Sequence, residues 1–183
     1  MIWRKEETCL TIFTVDKARS EICFTVRHMR ISKVKGTFSS YTARIEAPTI
    51  AELHSGLIDI EIDVASISTM DTARDQHLLS ANFFDADRFP KIYFSKTALT
   101  PGEEGLFRLA GDLTIKEITK SVQFDVLYKG KEQTDWGPEI HRFTCSTVIN
   151  RKDFGLIYST LIEAGGTVID ENIQIIVSID LHN

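Results

Sequence analysis

Residues 20–29 read Ser20-Glu21-Ile22-Cys23-Phe24-Thr25-Val26-Arg27-His28-Met29. Ile22, Phe24, Val26 and His28 share one parity, and Glu21, Thr25 and Arg27 share the other. Side chains alternate across a strand, so this segment is a strand with one apolar face that ends in a histidine. The same arrangement recurs in Leu57-Ile58-Asp59-Ile60-Glu61-Ile62-Asp63-Val64, where isoleucines and a valine face one way and three acids face water. That alternation belongs to half-buried antiparallel strands.

Working outward, a weaker alternation runs from Val34 to Glu46 through Gly36 and Phe38. Further strands are expected at Lys91–Leu99, Leu106–Ile115, Ser121–Tyr128, Arg142–Asn150 and Asn172–Leu181, with one more near Thr8–Val15. Pro101-Gly102, Gly130 and Gly165-Gly166 punctuate them. In the last strand Ile173, Ile175, Val177, Ile179 and Leu181 make one apolar row. Roughly eight antiparallel strands result, a number that closes into a ligand-sized barrel.

Met70 to Pro90 breaks the pattern. Asp71 is a helix-capping residue ahead of good helix formers, so Asp71–Leu79 reads as a short helix. Phe83, Phe84 and Phe89 follow in a cluster too dense for an exposed loop. The helix and the Phe-rich loop are expected to pack across one mouth of the barrel.

The chain has 183 residues, 43% hydrophobic and 26% charged, enough for a core and most simply one domain spanning residues 1–183. A net charge of -5 argues against nucleic-acid binding. No stretch approaches the ~18 consecutive apolar residues of a membrane helix. Cys9, Cys23 and Cys145 are odd in number and lack C-x-x-C spacing, and no signal peptide is visible. The expectation is a cytoplasmic protein with reduced thiols, not membrane-spanning.

The blocks of this sequence resemble the YceI-like family. Ser20-x-Ile22-x-Phe24-x-Val26-Arg27-His28-Met29 with Ser32-Lys33-Val34-x-Gly36-x-Phe38 resembles its N-terminal signature, and Asp63-Val64-x-Ser66-Ile67-x-Thr69 its next strand. Arg74-Asp75-x-His77-Leu78-x-Ser80-x-x-Phe83-Phe84-Asp85-x-x-Arg88-Phe89-Pro90 is similar to its central block. Gly111-Asp112-Leu113-Thr114-Ile115 and Asn150-Arg151-x-Asp153-Phe154-Gly155-Leu156 are similar to its later ones. The resemblance implies a lipocalin-like barrel whose apolar interior holds a polyisoprenoid or similar lipid. Many relatives are exported to the periplasm. Two positions depart from the pattern: Arg19 stands where histidine is common, and Lys116-Glu117 where a turn glycine is common.

Catalytic readings find little support. Arg74, Asp75 and His77 lie close on the expected helix, but no second histidine at ligand spacing completes a metal set, and Asp75 is expected to pair with backbone or an arginine. No Gly-x-Ser-x-Gly elbow is present. Cys23 and Cys145 read as quiet strand thiols. No catalytic residue, metal or cofactor is assigned.

The rows Ile22/Phe24/Val26, Ile58/Ile60/Ile62 and Ile173/Ile175/Val177 either line a cavity or interdigitate into a solid core, since both need the same side chains. The resemblance favours a cavity. With Phe38, His28 and the insert's Phe83, Phe84 and Phe89, they form the candidate ligand-binding set. His28 either bonds a headgroup or pins the chain leaving its strand. Arg27, Arg30, Lys33, Lys35, Arg151 and Lys152 could face an anionic headgroup. The expected function is non-catalytic carriage of a long-chain isoprenoid or acyl lipid. The alternatives are a packed-core stress-response or structural module, and an enzyme on an isoprenoid. A homodimer fits either of the first two readings.

Overall fold

The computed structural model describes residues 9–28, 32–133, 137–158, 161–162, 166–167 and 169–183. Thr8, Met29, Arg30 and Gly165, all invoked above, lie outside them. The described strands are β1 (Thr11–Val15), β2 (Glu21–His28), β3 (Ser32–Phe38), β4 (Tyr41–Ala47), β5 (Leu57–Asp63) and β6 (Ile67–Ser68). After helix α1 (Thr72–Leu79) come β7 (Lys91–Pro101), β8 (Leu106–Ile115), β9 (Ile118–Gln133) and β10 (Glu139–Asn150). A small pair, β11 (Leu161–Ile162) and β12 (Gly166–Thr167), precedes β13 (Ile169–His182).

Neighbours pair antiparallel throughout, and β13 pairs with β10 on one edge and with β1 and β2 on the other. The sheet therefore closes into an eight-stranded barrel. Three of its staves are broken strands: β1 runs on into β2, β3 into β4, and β5 into β6. Val15 lies opposite Leu181 and Glu21 opposite Ser178, so residues 16–20 loop outward opposite Ile179 and Asp180. In the next stave the break falls at Ser39-Ser40, and in the third at a 3₁₀ turn, Val64–Ser66. The second and third breaks are stitched together. Ser40 Oγ donates to Asp63, Asp63 N–H donates to the Ser40 carbonyl at 2.9 Å, and Ser66 Oγ donates to the Asp63 carbonyl at 2.7 Å. The continuous alternation expected from Val34 to Glu46 is thus two strands joined at a serine pair.

Two glycines let aromatic rings lie flat on the sheet. Phe24 sits opposite Gly36, where a Cβ would come within 2.1 Å of its ring. At Gly111 a Cβ would come within 2.3 Å of the Phe94 ring and 2.6 Å of the Ser95 carbonyl. The core follows the inward rows, with Ile22, Ile45, Phe94, Leu113, Phe124, Phe143 and Leu181 all buried.

Helix α1 forms where expected, because Asp71 caps it by accepting from the Arg74 N–H at 3.0 Å. A cap of this kind stabilises a helix by ~1 kcal/mol. Asp75 Oδ1 accepts from the Thr69 N–H at 2.8 Å and from the Thr69 hydroxyl, while Arg74 donates Nε to Thr69 Oγ1 at 2.7 Å and Nη2 to its carbonyl at 2.9 Å. Asp75 and Arg74 therefore tie the helix to the end of β6.

Candidate functional site: an apolar barrel cavity

The barrel encloses a cavity of about 860 Å³ that runs from the α1 mouth to the opposite end. The inward rows line it rather than fill a solid core. Ile22, Phe24, Val26 and His28 come from β2, Phe38 from β3, Ile58, Ile60 and Ile62 from β5, and Ile173, Ile175 and Val177 from β13. Phe83 and Phe84 from the insert complete the wall. Phe89 does not join them. It stands outside the wall, with the Arg88 guanidinium 5.0 Å and the Lys116 amine 5.8 Å from its ring centre. Its place in a Phe-rich run made it look like its neighbours, but a turn at Asp85, left-handed at φ 53°, redirects the chain before it.

Four further strands, expected from the sequence but absent from the candidate ligand-binding set, contribute as much. Phe94 and Leu99 (β7), Phe107, Leu109, Leu113 and Ile115 (β8), Phe124 and Val126 (β9), and Phe143, Cys145 and Ile149 (β10) also line the cavity. Their signal was the same period-2 alternation, present in every one of these segments. At the end away from α1, the segment carrying Ile50, Leu53 and His54 lies under Leu99, Pro101 and Phe107. Lys96 Nζ holds that segment by donating to the Leu53 and His54 carbonyls at 3.0 and 2.9 Å.

Apart from His54 at the far end, the polar side chains of the wall gather at the α1 mouth: His28, Thr69, Asp71, Arg74, His77, Arg151 and Tyr158. His77 sits edge-on to Phe83 and Tyr158, with ring centres 5.2 and 4.7 Å away. No hydrogen bond reaches the His28 imidazole among the described residues. Among the described members of the proposed basic set, Arg151 alone lines the cavity. Lys35 pairs with Glu21 at 3.4 Å on the outer face, Lys152 pairs with Glu171 at 2.6 Å, and Arg27 and Lys33 lie exposed opposite one another.

The Cys23 and Cys145 thiols are inert in character. Burial pushes the Cys145 thiol up to about 12, and its remaining exposed surface faces the cavity, away from bulk solvent. Burial, with hydrogen bonding and charge from Glu21, pushes Cys23 to about 11. Sequence reasoning missed a half-buried chain on β9 and β10, in which His141 Nδ1 lies 3.0 Å from the Tyr128 hydroxyl and Nε2 lies 3.0 Å from Glu139 Oε1. Neither Tyr128 nor His141 lines the cavity, so this chain belongs to the barrel wall.

A closed antiparallel barrel wrapped around an elongated apolar cavity defines a lipocalin-like protein. The chain belongs to the YceI-like family, whose domain model matches residues 13–181. It is 32% identical over 166 residues to the UPF0312 protein SA2479 of Staphylococcus aureus strain N315, covering 90% of this chain and 94% of that protein. The Campylobacter jejuni YCEI protein superposes with a TM-score of 0.73 at 27% identity, over 93% of this chain and 96% of that one. BcnA of Burkholderia cenocepacia superposes with a TM-score of 0.77 at 23% identity, over 91% and 99%. A polyisoprenoid binding domain from Saccharophagus degradans shares the fold at a TM-score of 0.64 and 15% identity, over 93% and 97%.

Proposed function

We propose that this protein is a non-catalytic binder and carrier of a long-chain amphiphilic lipid, held lengthwise in the barrel. The observation that carries this reading is the cavity of about 860 Å³ walled by apolar side chains from every stave. An apolar cavity this large is costly to leave hydrated, because its walls cannot hydrogen-bond the water they hold. A long hydrocarbon chain suits it, gaining about 25 cal/mol per Å² of apolar surface removed from water, less its ordering cost. Family membership supports the same reading. A polyisoprenoid, the ligand class named for the S. degradans domain, is the first candidate.

The test is organic extraction of the protein purified from its own host, followed by mass spectrometry. A prenyl or acyl lipid in near-stoichiometric amount is expected. A clean extract, together with no uptake of added prenyl or acyl lipid by the extracted protein, would sink the carrier reading.

A further inference from the structure

The charged groups of the cavity wall do not cancel. Asp71 and Arg74 face one another, with Nη1 to Oδ2 at 3.7 Å. Arg151 is left over, only 2% exposed and buried in the wall of the α1 mouth. Its guanidinium donates Nε to the Asp170 carbonyl at 3.0 Å, Nη1 to the Leu156 and Tyr158 carbonyls (2.9 Å to the latter), and Nη2 to the Ile169 carbonyl at 3.4 Å. Every one of these partners is a neutral main-chain oxygen. Among the described residues no carboxylate forms an ion pair with it. Asp170 and Glu171 attract it from further away, and Glu171 is already held by Lys152.

A buried charge without a counter-charge is costly. Burial accordingly pushes the Arg151 pKa down from its ordinary value. A guanidinium has five N–H donors, and four are committed here, so one on Nη2 remains. Arg151 shares its stretch of the cavity wall with the polar side chains of His28, His77 and Tyr158. The Tyr158 carbonyl that Arg151 holds carries the ring that meets His77, and Ile169 lies opposite His28 in the β13–β2 register.

Resting on the lipid-carrier reading above, we propose that the cavity selects amphiphiles with an anionic oxygen headgroup, a carboxylate or a phosphate, seated at the α1 mouth against Arg151. The hydrocarbon tail then points toward Ile50 and Leu53, and Arg151 is the specificity-determining residue. Its carbonyl contacts pre-form the subsite, because they fix the guanidinium plane before any ligand arrives.

Two matched pairs of probes test this, each competing with neutral diphenylhexatriene for the lipid-extracted protein. The pairs are oleate with methyl oleate, and geranylgeranyl monophosphate with geranylgeraniol. In wild type the anionic member of at least one pair is expected to bind about tenfold tighter, the effect of one charge-assisted hydrogen bond. The pair that shows the preference identifies carboxylate or phosphate as the source. Arg151→Met is expected to abolish the preference and Arg151→Lys to keep it. Should Arg151→Met not fold, the wild-type comparison still decides. Equal affinities within both pairs, or a preference that survives in folded Arg151→Met, would overturn the headgroup assignment alone. Failure of all four probes to displace diphenylhexatriene would overturn the carrier reading with it.

Discussion

Arg142 grips Asp180 through two parallel hydrogen bonds, Nε to Oδ1 at 2.9 Å and Nη2 to Oδ2 at 2.8 Å, across the β10–β13 pair. The same carboxylate lies 3.1 Å from Arg19 Nε, and Glu132 bridges the two arginines, 2.7 Å from Arg19 and 3.6 Å from Arg142. Asp180 is 1% exposed although its row faces outward, because the excursion at residues 16–20 folds down over it. Arg19 therefore pairs within this cluster and does not line the cavity. It helps hold the seam where the first stave meets the last.

Asp180→Asn is expected to cost about 2 kcal/mol, since hydrogen bonds to charged groups are worth more than neutral ones and the arginines left behind remain partly in water. The Arg142 hydrogen bonds hold the Asp180 carboxyl below the usual carboxylate range. Its contribution is thus complete above the unfolded value of about 3.9 and is lost as pH falls through that value toward the lowered one. Urea unfolding should show a wild-type advantage that is constant from about pH 7 to about pH 5 and shrinks below about pH 4. An advantage that grows on acidification contradicts this account.

Gly36→Ala should destabilise by about 1–3 kcal/mol, the usual cost of overpacking. The new methyl would meet the Phe24 ring, whose only free direction is into the cavity. The variant should therefore also take up less extractable lipid per mole than wild type. Gly111→Ala should cost more, because there a main-chain carbonyl as well as a ring must yield. A thermal midpoint for Gly36→Ala at or above wild type would show that the ring is not confined.

Much of this barrel was legible in single residues. Alternation in Ile58, Ile60 and Ile62 placed them inward, and Asp71 marked the helix start, because strand period and capping are local physics. Closure is not local. Asp180 sits between inward Ile179 and Leu181, so alternation alone would leave it solvated, and only the meeting of the first and last staves puts Arg19 and Arg142 on it. His141 was invisible for the same reason, since its partner Tyr128 lies on the neighbouring strand. Arg151 was read as one basic residue among six at strand ends. Its isolation from the others exists only once the loop after β10 has wrapped it in carbonyls.

The cysteines should separate by reactivity. Cys9 is exposed, whereas Cys23 and Cys145 have thiols pushed to about 11 and about 12. At about pH 8 the thiolate fraction of Cys145 falls below that of a free cysteine by about a thousandfold. A charged thiol reagent should label one residue quickly, and peptide mapping should find it at Cys9. In a Cys9→Ser variant, a small apolar maleimide should reach Cys145 in extracted protein and be excluded once a lipid is bound. Equal labelling with and without lipid would mean that the ligand does not pass this part of the wall.

The β8–β9 turn is where magnitudes compete. Lys116 adopts a left-handed backbone at φ 58°, a conformation that costs a non-glycine residue about 1–2 kcal/mol. In return its amine lies over the Phe89 ring, an exposed cation–π contact worth about 0.5–1 kcal/mol. Strain is the larger of the two, so Lys116→Gly should raise stability by several tenths of a kcal/mol to about 1 kcal/mol, with part of the gain offset by glycine's freedom in the unfolded chain. Lys116→Met keeps the strain and removes the charge, so it should fall below wild type. Thermal melts of the three proteins check the order Gly above Lys above Met. If Lys116→Gly melts below wild type, the contact with Phe89 outweighs the strain, and that ring is held by its two cations more firmly than their exposure implies.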